Sequence, residues 1–441
     1  MTALKDLAAR FRRTTARFGG DRGGNFAVVT GMIATTLALS VGFAVNTAQS
    51  YQVKSSLLAA LDAAVTSTAR DLTTGKISTD EARPLVEAFL AANSDPKFAV
   101  SKTFTLDTLT IDQAARTIRA TAYANVDLAF PFFTTSDPKV SISSAAVYSD
   151  RSIEVAMVLD VTGSMKGQKI KDLKTAADNA VTTFLAGQDP KKPRVRVAIV
   201  PYSDAVNTGE LANTVHVETK FTTGEPPRLN DPRSVSTAPD KCATERKGSQ
   251  QFTDASPTKA MVNRDYRLSF CPTAALKPLS ANLSALKTTI TDFEASGLTA
   301  GHIGIQWGWY ILSPKWNDVL KSGARPAPYK GKVAKYAIIM TDGEFNTAFA
   351  GVAKDGKTTG GQADLSRSNA EKLCGEMKKD GVEIFTIGFM LKESGAKAVM
   401  KNCATTDTSS AKHYFEAATG AQLDGAFQEI ARNIERLALT E

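Results

Sequence analysis

Residues 153 to 165 read IEVAMVLDVTGSM. Ile153, Val155, Met157, Val158 and Leu159 make a short apolar run, with polar residues before it and turn-forming residues after it, the pattern of a strand buried on both faces. The run ends at Asp160. From Lys169 onward, Ile170, Leu173, Ala177, Val181 and Phe184 recur three and four apart and so line one side of a helix. A strand that feeds a helix through Asp160-Val161-Thr162-Gly163-Ser164 gathers one carboxylate and two hydroxyls at the carboxyl end of a parallel sheet, where open α/β sheets bind their ligands.

Two more distant segments supply what such a loop lacks. Residues 334 to 343, AKYAIIMTDG, are a second apolar strand that ends in Asp342 before Gly343, and Gly297-Leu298-Thr299 opens a helical stretch from Gly301 to Leu312. Asp at the first position of residues 160 to 164, with hydroxyls at the third and fifth, resembles the metal-ion-dependent adhesion site of von Willebrand factor A domains, and Thr299 and Asp342 follow in that family's order. The resemblance implies a doubly wound, mostly parallel, Rossmann-like α/β domain over residues 151 to 441, with Asp160, Thr162, Ser164, Thr299 and Asp342 as its metal set. Thr162 stands where Ser is commoner in the family, which adds a methyl group and keeps the oxygen.

The residue types suit a hard divalent cation, Mg2+ first, with Mn2+ or Ca2+ as alternatives, because such ions take oxygen ligands. If Thr162, Ser164 and Thr299 ligate directly while Asp160 and Asp342 act mainly through water, the ligand sphere is nearly neutral. The ion then keeps its charge for an Asp or Glu carboxylate on a protein partner, and no nucleophile or base is needed. The alternative is that Asp160 and Ser164 only cap the following helix and Asp342 only shapes a turn.

At 441 residues the chain is long enough for about three domains. Of its net charge of +8, +4 comes from Lys5, Arg10, Arg12, Arg13, Arg17 and Arg22 set against Asp6 and Asp21. The remaining +4, spread over more than 400 residues, is no nucleic-acid footprint. The four cysteines, Cys242, Cys271, Cys374 and Cys403, contain no CxxC pair. Two sequential disulfides would each close a loop of about 30 residues and contribute roughly 3.5 kcal/mol in the chain-entropy picture; four buried thiols are the other option, since spacing does not settle connectivity.

After a basic tail (1 to 25), residues 26 to 48 carry no charge and span about 34 Å as a helix, enough for a hydrocarbon core of about 30 Å. Positive residues before the segment put the N-terminus in the cytoplasm and the bulk of the chain in the periplasm or outside, where cysteines pair. A cleaved signal peptide ending near Ala48 competes with a retained inner-membrane anchor, but its apolar segment is usually shorter. The helical pattern continues through Val53, Leu57, Leu61, Val65, Thr68 and Leu72, so one helix runs from Phe26 to about Leu72. A second short helix ends near Asn93, and strands follow at 102 to 111, at Ile118 to Leu128 with period two, and at 139 to 149; residues 49 to 150 thus form a small α+β module.

The basic tail, GGNFAVVT entering an apolar helix, LDAA at Leu61 to Ala64, a strand-rich region and then the A domain together resemble TadG-like proteins of tight-adherence (Flp) pilus assembly. That resemblance implies a role in assembling or anchoring a surface pilus, with pilus assembly components as partners. Asn46 stands where many relatives carry Asp, and its expected place is an interface where water satisfies it.

Within the A domain, RVRVAIVPY (194 to 202) and VEIFTIGFM (382 to 390) are further strands, the second flanked by helices that carry Cys374 and Cys403. Residues 204 to 280 are a polar insertion with Cys242 and Cys271, too poor in apolar residues for a core of its own and expected beside the metal face. Gly351 to Gln362 should form a rim of that face. In the last helix Leu423, Phe427, Ile430, Ile434 and Leu437 line one side, with Glu429, Arg432, Asn433 and Arg436 on the other. His216, His302 and His413 lie in separate segments without an HExxH pairing, so no enzyme is expected; an envelope module with an empty site, or a metal-dependent hydrolase, are the alternatives.

Overall fold

The computed structural model describes residues 23–94, 103–130, 138–149, 151–186, 188, 193–219, 240–265, 267–352, 362–409 and 411–440. Most of the basic tail, part of the insertion (220–239) and most of the loop after Gly351 lie outside the described residues. The chain divides into two compact units, Met1–Thr68 with Thr79–Ala146, and Ala69–Ser78 with Val147–Glu441.

The first unit begins with α1 (Gly23–Thr74), whose last turn belongs to the second. Its stretch from Val28 is long and apolar enough to cross a membrane, and Val28, Met32, Leu37 and Phe43 are exposed. Further along, Val53, Leu57, Leu61 and Val65 are buried, the amphipathic half expected from their spacing. After α2 (Ala82–Ala92) come β1 (Thr105–Asp112), β2 (Thr117–Asn125) and β3 (Lys139–Val147), in that order in one sheet. Ile118, Ala120, Ala122 and Ala124 of β2 are all buried, as a period of two requires. Asn46 departs from expectation. It is buried, its Nδ2 donates to the Phe130 carbonyl at 2.6 Å and its Oδ1 accepts the Phe130 N–H at 3.1 Å, so backbone takes the place assigned to water. A side-chain amide matches one residue's N–H and C=O together, which a carboxylate does not.

The second unit is built on β4 (Ser152–Asp160). Ile153, Val155, Met157 and Leu159 enter one core while Ala156 and Val158 enter another, so the strand is buried on both faces. It pairs in parallel with β5 (Val195–Tyr202) and β11 (Val333–Thr341). The sheet is completed by β10 (Lys277–Ser280), β12 (Val382–Phe389) and β13 (Tyr414–Ala417) in the order β10-β5-β4-β11-β12-β13, with β10 alone antiparallel to its neighbour.

One face is covered by α3 (Gln168–Leu185), α5 (Leu283–Thr291) and α9 (Gly420–Thr440), and the other by α6 (Gly301–Leu312), α7 (Ala363–Lys379) and α8 (Ser394–Cys403), which makes the domain doubly wound. Burial of this kind stabilises by about 25 cal/mol per Å² of apolar surface. Leu423, Phe427, Ile430 and Ile434 of α9 are buried as expected. Asn433 is buried too, contrary to expectation, and so is Glu435, which pairs with Arg70 from the last turn of α1. A second flank of α9 is therefore covered by polar partners that apolar spacing does not register.

Every residue of α6 is buried. Gly304 and Gly308 let it approach the sheet, since a Cβ on the first would lie 2.5 Å from the Tyr202 ring and on the second 2.6 Å from Val158. Its outer side is covered by the insertion. β6 (Val206–Asn207), α4 (Ala212–Val215), β8 (Cys242–Ala243) and β9 (Val262–Asp265), the last paired with β7 (His216–Thr219), add Val206, Val215, Cys242, Ala243 and Val262 to the same core as α6. The insertion lacks its own core, as expected, and shares this one. Both sequential disulfides are present, Cys242–Cys271 and Cys374–Cys403, with Cα–Cα separations of 5.5 and 5.1 Å.

Candidate functional site

Three loops meet at the carboxyl end of the sheet. β4 ends in Asp160, whose Oδ1 accepts the Thr162 N–H at 2.9 Å and turns the chain back on itself. A 3-10 turn, Gly163–Met165, follows, and then Gly167 with φ +81° caps α3. Neither Asp160 nor Ser164 is the helix cap, so both are free of the capping role considered above. The Thr162 and Ser164 hydroxyls lie 2.9 Å apart, and Ser164 Oγ donates to Asp342 Oδ1 at 2.6 Å. Asp342 follows β11, the strand hydrogen-bonded to β4, which is why two residues 182 positions apart share a site with Ser164 between them.

The third loop is joined through backbone. Gly163 N–H donates to Gly297 C=O at 2.9 Å, and Ser296 N–H to Val161 C=O at 2.9 Å. Gly297 has φ +79°, and a Cβ there would collide with the Asp204 carboxylate, so the loop needs glycine at this point. Thr299 is buried two residues further on; its N–H donates to Asn346 Oδ1 at 2.9 Å, and its carbonyl accepts the N–H groups of Asn346 and Thr347. Asp160, Thr162, Ser164 and Asp342 thus form one hydrogen-bonded chain; Thr299 is tied by its backbone to the loop after Asp342, while its own loop meets the first through Gly297 and Ser296. Asp160, Thr162, Thr299 and Asp342 are at most 4 % exposed, whereas Ser164 is exposed and marks the opening.

The electrostatics of this cluster are unbalanced. Asp160 is pushed up to about 6, first by burial and next by the charge of Asp342, against hydrogen bonds from Thr162 and Thr341 that favour its ionised form. Thr341 Oγ1 donates to Asp160 Oδ2 at 2.7 Å. Tyr202, also against Asp160 Oδ2, is raised well above the usual phenol range by burial and then by that carboxylate. Asp204, which follows β5 and accepts the Leu298 N–H, is pushed up to about 6 by burial. Among the described residues one cation enters this group: Lys169 Nζ, 2.6 Å from Asp342 Oδ2. Buried carboxylates and hydroxyl oxygens around one opening are the donor set that a hard cation requires, and added positive charge would relieve the penalty on Asp160.

Several of these residues carried no signal in the sequence. Lys169, Asp204, Thr341 and Asn346 fall outside the five-residue pattern, although Asp204 and Thr341 sit at carboxyl ends of the strands that flank β4, where such residues can be sought. A buried trio also escaped the sequence: His302 Nδ1 lies 2.9 Å from Ser366 Oγ and its Nε2 lies 3.4 Å from Glu245 Oε1. These are the side-chain types of a hydrolytic triad, yet all three are at most 1 % exposed, so no substrate reaches them. Their role is a brace. Glu245, from the insertion, accepts the N–H groups of Phe349 and Ala350 at 2.7 Å each and anchors the segment that follows Asp342. Burial raises the Glu245 pKa, but His302 and these N–H groups outweigh it and hold it at about 2. The insertion therefore reaches the loop at this end of the sheet, as its departure from a strand end implies. A second group of possible ligands, Asp240 with Cys242 and Cys271, has both sulfurs in a disulfide and offers no thiolate.

No family model matches the chain, and no curated protein matches it. Among solved structures, the chain is similar to the vWF domain of the type V pili tip protein Mfa5 from Porphyromonas gingivalis, at 15 % identity and a TM-score of 0.39 over 66 % of this chain and 97 % of that one. It is similar to the pilus adhesin SpaC from Lactobacillus rhamnosus GG in its open conformation, at 12 % identity and a TM-score of 0.38 over 76 % of this chain and 34 % of that one. It is also similar to proximal thread matrix protein 1 from the mussel byssus with a zinc-occupied MIDAS motif, at 14 % identity and a TM-score of 0.32 over 65 % and 46 %.

Proposed function

We propose that the chain is a non-enzymatic adhesion module of pilus assembly, of the tight-adherence kind, held in the inner membrane by residues 26 to 48. Its site binds a divalent cation, Mg2+ first, through Thr162, Ser164 and Thr299 with Asp160 and Asp342 behind them, and the cation grips an acidic residue of a protein partner. The observation that carries this reading is the 2.6 Å contact between Ser164 and Asp342, with Thr162 2.9 Å further along the same chain of oxygens. The Ser164 hydroxyl stands at the opening while both carboxylates are buried, which suits capture of an outside carboxylate.

The test is calorimetric titration of the full-length chain, in detergent micelles, with Mg2+ and Mn2+. Binding that Asp160→Ala abolishes supports the reading, and so does partner association that EDTA breaks. A purely structural module, in which the Lys169 ammonium is the permanent cation of the site, is favoured by the Lys169–Asp342 contact and would give no heat with either metal.

A further inference from the structure

We infer that Lys169 is a built-in competitor of the divalent ion: its ammonium holds Asp342 in the metal-free site and must leave that carboxylate for the ion to take its place. The inference rests on the cation reading of the site and adds a means of regulating it. Three observations carry it. Lys169 Nζ lies 2.6 Å from Asp342 Oδ2, the oxygen that Ser164 does not use. The Asp342 side chain is fully buried, while that of Lys169 is 28 % exposed, so the acid stays in place and the lysine tip has a path back to water. Lys169 is the second residue of α3, beyond Gly167, so its side chain can swing without disturbing the 160–164 loop.

The charges set the direction of the effect. A lone buried carboxylate is costly, and the ammonium neutralises it. An incoming ion of charge +2 would stand within a few ångströms of that ammonium if both stayed, and like charges at such range repel strongly. Occupancy is therefore exclusive, and the lysine lowers affinity for the metal while keeping the empty site assembled. Among the described residues, Arg367 pairs with Glu344 and Asp364, and Lys174 donates to the Thr291 carbonyl. Lys166, exposed in the same loop, serves as a control of equal charge.

The experiment is calorimetric titration of the full-length chain in detergent micelles with Mn2+, at fixed pH and ionic strength, for wild type, Lys169→Met, Lys169→Gln and Lys166→Met. The expected result is at least tenfold tighter binding in both Lys169 variants and a change within threefold for Lys166→Met. In EDTA, Lys169→Met should melt below wild type, with Mn2+ reversing the loss. Lys169→Gln carries the same test if the methionine variant does not fold. Lys169 variants that bind no tighter than Lys166→Met overturn the competition and leave the metal site standing. Absence of Mn2+ binding even in the Lys169 variants overturns the cation reading and this inference with it.

Discussion

The two ends of β4 carry acids in opposite circumstances. At the amino end Glu154 is fully buried, with Lys335 of β11 on one side and Arg196 of β5 on the other, each directly opposite it in the strand register. Ala327 N–H donates to the same carboxylate at 2.9 Å. At the carboxyl end of the same three strands stand Asp160, Asp204 and Asp342, with Lys169 as their one ion-pair partner among the described residues. The first end has two bases for one acid; the second has three acids for one base. Charges that serve the fold are closed off by neighbours in the sheet, whereas charges left in surplus at the ligand-binding edge are poised for something from outside.

The sharpest way to break this contrast is Glu154→Ala. It leaves the ammonium of Lys335, 3 % exposed, without its partner, and a loss of about 3–5 kcal/mol is expected. Guanidinium unfolding reads it through Trp307, Trp309 and Trp316, all buried in the second unit. A loss under about 1 kcal/mol would show the amino end to be no tighter than the other.

A smaller effect is expected from Asp204→Asn, and it depends on pH. Burial lifts the folded-state pKa of Asp204 from 3.8 to about 6, so between these values the folded protein binds more protons than the unfolded chain. Stability contributed by this group is therefore lost as pH rises from about 4 through 6, by up to about 3 kcal/mol. Asparagine keeps an acceptor for the Leu298 N–H and removes the charge. Relative to wild type, the variant should become more stable by about 1–2 kcal/mol between pH 4.5 and pH 7 in EDTA. An unchanged difference across that range would mean that Asp204 ionises without strain. The smallest effect belongs to Thr162→Ser, which keeps the oxygen and deletes a buried methyl. Mn2+ affinity should stay within threefold of wild type, while Thr162→Val, without the oxygen, should lose it.

Much of this was legible in the chain itself, and the exceptions share a cause. Apolar periodicity located β4, β11, β12, α3 and α9 because burial on a face is written into spacing. The helix Gly301–Leu312 was also legible in extent, and its lack of any polar side should have signalled a cover over it. The insertion is that cover, and its polar composition hid the role. Its contacts with the rest include apolar residues and polar groups alike: Arg267 donates to the Phe349 carbonyl at 2.6 Å, Arg246 N–H to Gln306 Oε1 at 3.1 Å, and Asp254 accepts from Ser313 and Tyr329. Asn46 and Asn433 went astray for a related reason: a buried polar group is defined by its partner, and the partner of Asn46 lies 84 positions away, as that of Glu435 lies 365 away.

By itself the sequence determined the central strands β4, β5, β11 and β12, the helices α1, α3, α6 and α9, and the loop pattern of residues 160 to 164. Those are properties of local periodicity and of residue chemistry. Only the tertiary structure decided that Ser164 and Asp342 touch, that the cysteines pair in sequence order, that Lys169 enters the cluster, and that the Ser366, His302 and Glu245 group is sealed from solvent. Each of these depends on strand order and register, and register brings together side chains whose separation along the chain carries no trace of their meeting.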